Sequence, residues 1–207
     1  MREGHVYIIP IMHPAAILRG AWSQDPFQPI YLKRAKDISD GNDPSILDPN
    51  KLPPGALLDP TTGQMWDWYQ AIEAGQSVAV DIEAAGPHIT CIGMCRLSDL
   101  VAIVFRFRNR GGLPEMVGIE TRVEICDLVL SRPDIGLVFQ NGQAYDIPQL
   151  EASGFVVEGY FDGGMDTMLA AFCAYPDSPK DLEFLACIYG GLSKWKHTVK
   201  AEGGENK

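Results

Sequence analysis

The chain has 207 residues, of which 46% are hydrophobic and 21% charged, the balance of a soluble globular protein long enough for one well-buried core and an appendage. No apolar run approaches the roughly 18 to 20 residues that a membrane span needs, and a net charge of −10 argues against nonspecific duplex binding through a broad basic surface. Cys91, Cys95, Cys126, Cys173 and Cys187 are an odd number of cysteines among apolar neighbours, which reads as reduced core thiols rather than a disulfide framework.

The N-terminal "MREGHVYIIPIMHP" is interrupted by Pro10 and His13 and is followed by no small-residue cleavage site. A secretory signal is therefore not expected, and the cytoplasm is the expected location. "HVYIIPIMHPAAILRG" reads as a short strand, a turn at "HPAA" and a helix start, with "PFQPIYLKRAKDI" continuing as helix. Residues 41–63 hold five prolines among Asp, Asn and Gly, the composition of a linker or extended arm. This divides the chain into a head, 1–40, a proline-rich linker, 41–63, and a body, 64–207.

In the body, "TGQMWDWYQAIEAG" places apolar residues at 65, 68, 69 and 72, predicting a short amphipathic helix ended by Gly75. Trp66, Trp68 and Tyr69 are read as packing residues. "SVAVDIEA", "HITCIGMCRL" and "LVAIVFRFR" then predict three strands in a meander. "TRVEICDLVLSRP" follows as helix, "IGLVFQNG" as strand, "YDIPQLEASGF" as a helix opening, "FDGGMDTMLAAFCAY" as strand, loop and helix, and "DLEFLACIYGG" as a further helix. Three antiparallel strands followed by alternating helices and strands describe an α/β fold with a mixed sheet. Basic residues cluster in "FRFRNR" (Arg106, Arg108, Arg110) and "SKWKHTVK" (Lys194, Lys196, His197, Lys200), each readable as a solvated face.

Asp81 and Glu83 end the apolar run of the first strand, and side chains two apart on a strand share a face. No Lys or Arg occurs in the dozen residues before them. Two adjacent like charges need a shared proton, a cation or open solvent. Asn141 and Asp146 fall where a predicted strand passes into a helix, at the carboxyl edge where open α/β sheets place their sites. Three acids beside polar donors make a hard-oxygen site suited to Mg²⁺ or Mn²⁺. Asp166 is read as a helix N-cap and Asp162 as a turn residue.

"DIEAAG", "FQNGQAYDIPQL" and "MDTMLAAFCAYPDSPKDLEFLACIYGG" together resemble the DEDD superfamily of 3′-to-5′ exonucleases, most closely the proofreading domain of family-A DNA polymerases, over roughly residues 76 to 200. The resemblance implies a ribonuclease H-like fold, preceded here by the head's strand-helix extension, and two-metal hydrolysis at the 3′ end of single-stranded DNA. It implies Asp81, Glu83 and Asp146 as catalytic residues holding two Mg²⁺ or Mn²⁺ ions, with Glu83 also at the terminal 3′ hydroxyl and Asn141 positioning the strand. Four residues separate Asn141 from Asp146, one more than is usual in family A. The family completes its site with a fourth acid preceded by a Tyr or His, and this chain reaches "AEGGENK" before any Tyr-x-x-x-Asp helix. His197 and Glu202 echo that spacing in a Gly-rich tail that is a poor helix, and are read as coincidence. Lys194, Trp195 and Lys196 look like the basic-aromatic segment that precedes the last motif in phage polymerases.

The head is similar in "IIPIMHPAAILR" to the C-terminal motif of bacterial-type uracil-DNA glycosylases, which implies that His13 contacts uracil and its flanking phosphate. Glycosylase end, linker and exonuclease beginning follow the order of phage polymerases that look like fusions of such domains. The expectation is a C-terminally truncated or split exonuclease of a bacterial or phage-infected cell, working with a polymerase domain or a complementing chain and no membrane. The competing readings are a catalytically incomplete nucleic-acid-binding or partner-contacting module, and a glycosylase remnant that binds uracil-containing DNA through His13.

Overall fold

The computed structural model describes residues 55–108, 118–161 and 163–190, together with positions 29, 30, 32, 33, 36 and 40. His13, Arg110, Asp162, positions 194–197 and Glu202 lie outside the described residues, as does the linker from 41 to 54. Positions 29, 30, 32, 33 and 36 are helical, as "PFQPIYLKRAKDI" predicts. The chain divides into two compact units, residues 52–170 and residues 1–51 with 171–207. No helix among the described residues is long and apolar enough to cross a membrane.

The larger unit opens with α1, Thr62–Gln70, whose start is written in a capping box. Thr61 Oγ1 accepts from the Gln64 amide at 3.3 Å, and Gln64 Oε1 accepts from the Thr61 amide at 2.9 Å. Reciprocal capping of this kind is worth about 1 kcal/mol. The helix closes at Ala71 rather than Gly75; Gly75 instead takes a φ of 80° in the turn beyond and donates to the Asp134 carbonyl at 2.7 Å. Trp68 is buried, its Nε1 donating to the Val101 carbonyl at 3.0 Å, so it packs as predicted. Trp66 and Tyr69 lie half-buried against the same core.

Strands β1, Ser77–Ala85, β2, His88–Arg96, and β3, Ala102–Arg106, form the expected antiparallel meander. Helix α2, Ile119–Leu130, then crosses to β4, Gly136–Phe139, which pairs parallel to β1. Helix α3, Asp146–Ala152, leads to β5, Met165–Asp166, parallel to β4. The sheet order is β3-β2-β1-β4-β5. This is the mixed sheet that the sequence predicts, three antiparallel strands and then parallel ones. The strand in "FDGGMDTM" follows the loop rather than preceding it, and it is only two residues long before α4, Thr167–Ala174, begins.

Alternation decides which face is covered. Val78, Val80 and Ile82 of β1, Ile92 and Met94 of β2, Ile103 and Phe105 of β3 and Leu137 and Phe139 of β4 point into one core with Met65, Trp68, Ile125, Val129 and Leu150. Burying such a side chain contributes about 1.5 to 3 kcal/mol, so this face fixes the register of every strand. Cys91 and Cys95 share the opposite face as their spacing predicts, but they are half-buried there. Of the five free cysteines only Cys126 is a core thiol, while Cys173 is exposed. The end of the assigned linker belongs to the larger unit: Leu57 bridges to Ile103, its amide donating to the Ala102 carbonyl at 2.8 Å. Asp59 pairs with Arg106 at 3.1 Å, which occupies one member of the "FRFRNR" cluster.

In the smaller unit α5, Leu182–Tyr189, starts where Asp181 accepts from the Phe184 amide at 2.9 Å. It buries Leu185 and Ile188.

Candidate active site

The acids of β1 face outward because their neighbours face inward. With Val80 and Ile82 in the core, Asp81 and Glu83 must share the other face, where both are exposed. Across the strand pair Asp81 meets Gly93, which has no side chain to cover it, and Glu83 meets Cys91. The register then slips between Glu83 and Ala84, which pairs with Ile89 and leaves Thr90 as the extra residue. Thr90 Oγ1 donates to the Glu83 carbonyl at 2.8 Å and holds the irregularity in place. A bulge of this kind bends the strand and re-aims the side chains beside it.

The second strand arrives from β4. Its pairing with β1 runs from Ser77 opposite Gly136 to Ala79 opposite Val138, so β1 continues past the end of its neighbour. Beyond that point a side chain takes the strand's place: Asp146, 4% exposed, accepts from the Ile82 amide at 3.2 Å. Its carboxylate thus reaches the backbone midway between Asp81 and Glu83. The turn that delivers it, residues 140–145, is tightly folded. Asn141 has a φ of 62°, a conformation Asn tolerates better than most residues. The Asn141 carbonyl accepts from the Ala144 and Tyr145 amides, each at 3.2 Å, and the Gly142 carbonyl from the Ile147 amide at 2.9 Å. At Gly142 an added Cβ would lie 2.4 Å from Phe139 Cβ, so only glycine fits.

Asp166 supports this turn from the far side. Buried at 5% exposure, its carboxylate accepts from the amides of Met168 at 2.9 Å and Leu169 at 3.2 Å, capping α4 as predicted. It also accepts from the amides of Asn141 at 3.1 Å and Gly142 at 2.7 Å, contacts that the cap assignment did not foresee. Thr167 adds a hydroxyl bond to the Phe139 carbonyl at 3.1 Å and another to Gln140 Oε1.

The electrostatics follow from this crowding. Burial pushes the Asp146 carboxyl up to about 6; the Ile82 amide opposes the rise, and the Asp81 and Asp166 charges add to it. Although its side chain reaches the surface, partial desolvation of the Asp81 carboxyl at the sheet, and then the Glu83 charge, raise its pKa as well. Burial and the Glu83 charge push the Cys91 thiol up, away from reactive thiolate. None of the ion pairs among the described residues involves Asp81, Glu83 or Asp146.

The three acids therefore share one sheet edge, and Asn141 stands in the turn beside them. They do not form a ready cage: no group of three or more His, Cys, Asp or Glu among the described residues is set to hold a metal ion. Asp81 and Glu83 are exposed on the open face, whereas Asp146 is bonded to the Ile82 amide. The donor chemistry itself fits a hard divalent cation, being carboxylate oxygen without a competing base.

No protein-family model matches the chain, and no curated protein sequence does. Solved structures do. The catalytic core of Trypanosoma brucei RRP6 superposes with a TM-score of 0.52 at 14% identity, over 75% of this chain and 39% of that one. Trypanosoma brucei RNase D gives 0.51 at 15% identity, over 73% and 54%, and its complex with RNA U12 gives 0.50 at 15%, over 70% and 50%. This chain spans about half the length of those RNase D chains. The shared feature is the architecture: a ribonuclease H-like α/β fold, with a mixed five-stranded sheet and flanking helices.

Proposed function

We propose that this chain is a metal-dependent 3′-5′ exonuclease of the proofreading type, acting on the 3′ end of single-stranded DNA in the cytoplasm of a bacterial or phage-infected cell, with a polymerase domain or a complementing chain as partner. The observation that carries the reading is the seat of Asp146 on the Ile82 amide, between the two outward acids of β1. Asp81, Glu83 and Asp146 would hold the ions. Bound ions would supply an activated water and stabilise charge on the leaving 3′ oxygen.

The chain's own groups do the rest. Glu83, exposed beside the bulge, accepts a hydrogen bond from the terminal 3′ hydroxyl. Asn141, in the turn next to Asp146, positions the strand. Asp146 has to give up its proton to serve, and its raised pKa couples binding to pH above about 6. Contacts limited to a short single strand are compatible with a net charge of −10, because they need local rather than global basicity.

A second reading is favoured by the lack, among the described residues, of a three-group cluster set to hold a metal. It is a nucleic-acid-binding or partner-contacting module that keeps the fold without the hydrolysis.

Calorimetry with Mn²⁺ and Mg²⁺ on the chain and on Asp81→Ala and Asp146→Ala, run beside 3′-labelled single-stranded DNA and RNA, separates the two. Metal binding lost in both variants, with mononucleotides released from DNA, supports the exonuclease. Unchanged affinity in both variants would sink the site, and metal-independent strand binding would favour the module. Faster digestion of RNA would overturn the DNA assignment while leaving the reaction class in place.

A further inference from the structure

We propose that Asp166 is a positioning residue for this site, holding the 140–146 turn so that Asn141 and Asp146 meet β1; the inference rests on the exonuclease reading. One carboxylate oxygen, Oδ1, accepts from Asn141, Met168 and Leu169, and the other, Oδ2, accepts from Gly142 alone. The α4 cap therefore uses one oxygen, and the second serves only the turn. An ordinary N-cap needs one acceptor; the second oxygen, in a side chain 5% exposed, satisfies an amide that the tight packing of Gly142 against Phe139 holds at that spot.

The turn transmits the constraint. From Gly142 the carbonyl accepts from Ile147 and from Asn141 the carbonyl accepts from Tyr145, so the residues flanking Asp146 are both tied to the pair that Asp166 grips. Asp146 then spends one oxygen on Ile82. A continuous path runs from Asp166 through two backbone amides and two carbonyls to the acid that meets β1. Asp166 never has to touch a metal or a substrate to set where Asp146 lies.

Asp166→Asn separates cap from turn. Its remaining carbonyl oxygen can still cap α4, while its NH₂ group sets a donor against the Gly142 N–H. Asp166→Ser is the second variant, because a serine caps well but is too short to serve both segments. Asp181→Ala, which removes the cap of α5, reports what cap loss alone does. Amide exchange and Mn²⁺ calorimetry at 10 °C on the full chain are the readouts, with Asp81→Ala as the metal-site reference.

The expected result is at least tenfold faster exchange at Gly142 and at least tenfold weaker Mn²⁺ binding in both Asp166 variants, with Asp181→Ala losing thermal stability but keeping its Mn²⁺ affinity. Wild-type Mn²⁺ affinity in both Asp166 variants, with Asp81→Ala not binding, would overturn the inference and leave the exonuclease reading standing. Unfolding of both Asp166 variants would make Asp166 a structural residue and overturn the inference as well. Mn²⁺ binding by Asp81→Ala as tight as wild type would overturn the reading, and the inference with it.

Discussion

On the proposed reading, Asp146 has to be buried to reach β1 and ionised to hold a cation, and the two demands oppose each other. With its carboxyl raised to about 6, against about 4 for an unfolded Asp, the folded state binds the proton more tightly. The sign follows from linkage: between the two values the folded chain carries more protons than the unfolded one, so stability falls as pH rises from about 4 to about 6. Asp81, raised by burial and by Glu83, acts in the same direction. Asp99 and Asp134, held low by Arg96 and Arg132, act in the opposite one, and their contribution is lost as pH falls below the ordinary carboxylate range. Comparison with Asp146→Asn isolates the first effect. In metal-free buffer the wild-type melting temperature should drop between pH 4.5 and 6.5 relative to the variant, and Mn²⁺ at pH 7 should raise it again in the wild type alone, since a ligand of the native state stabilises it. Parallel pH profiles would refute the assignment. The residues of this site were legible in the sequence for unequal reasons. Strand periodicity alone puts Asp81 and Glu83 on one face. Asn141 and Asp146 stood out as a spaced pair at a strand-to-helix junction. The burial of Asp146 was not legible, because it depends on β4 pairing ending at Val138 and freeing an amide sixty-four residues away in sequence.

Elements with strong periodicity came through as predicted, and short or tertiary-dependent ones did not. The meander and the two helices that follow it rest on alternating or helical runs of apolar residues, which local sequence displays. β5 has two residues, too few for any period, and its place in the sheet is decided by glycines that let backbones approach. At Gly136 an added Cβ would lie 2.5 Å from the Gly163 carbonyl oxygen and 3.2 Å from Ser77 Oγ; at Gly164 it would meet the Leu137 carbonyl oxygen at 2.5 Å. Gly136→Ala should therefore push β4 away from the loop before β5 and from the start of β1 together. Overpacking of this kind costs about 1 to 3 kcal/mol, which urea unfolding reads as a lower midpoint at unchanged slope. Gly63→Ala, with nothing within 4 Å of the new Cβ, is the matched control and should not be destabilised. The Leu57 bridge escaped the sequence reading for a related reason. Its neighbours are prolines and aspartates typical of linkers, yet one apolar residue suffices to close hydrogen bonds on both sides with β3.

For the whole molecule, two expectations fall on the head and the tail. The head offers a single candidate contact, His13, whereas base excision requires an enclosed pocket that reads a flipped base. We therefore expect no uracil release from single-stranded DNA by the full chain, and release that is abolished by His13→Ala would overturn this. The tail poses the matching question of the fourth acid. Among the described residues Asp166 commits its oxygens to four backbone amides, so the exonuclease reading rests on three carboxylates: Asp81, Glu83 and Asp146. On the exonuclease reading, a site of three carboxylates with no Tyr or His to orient the water would forgo a general acid-base contribution typically worth about 10²- to 10⁴-fold in rate. The 207-residue chain should accordingly digest 3′-labelled single-stranded DNA only weakly, and only with millimolar Mn²⁺. Adding a helix that carries Tyr-x-x-x-Asp, in trans or as a C-terminal extension, should raise the rate by at least 10²-fold and extend activity to Mg²⁺. Vigorous Mg²⁺-dependent digestion by the unextended chain, lost in Glu202→Gln, would instead assign the fourth acid to Glu202 and the water-orienting role to His197.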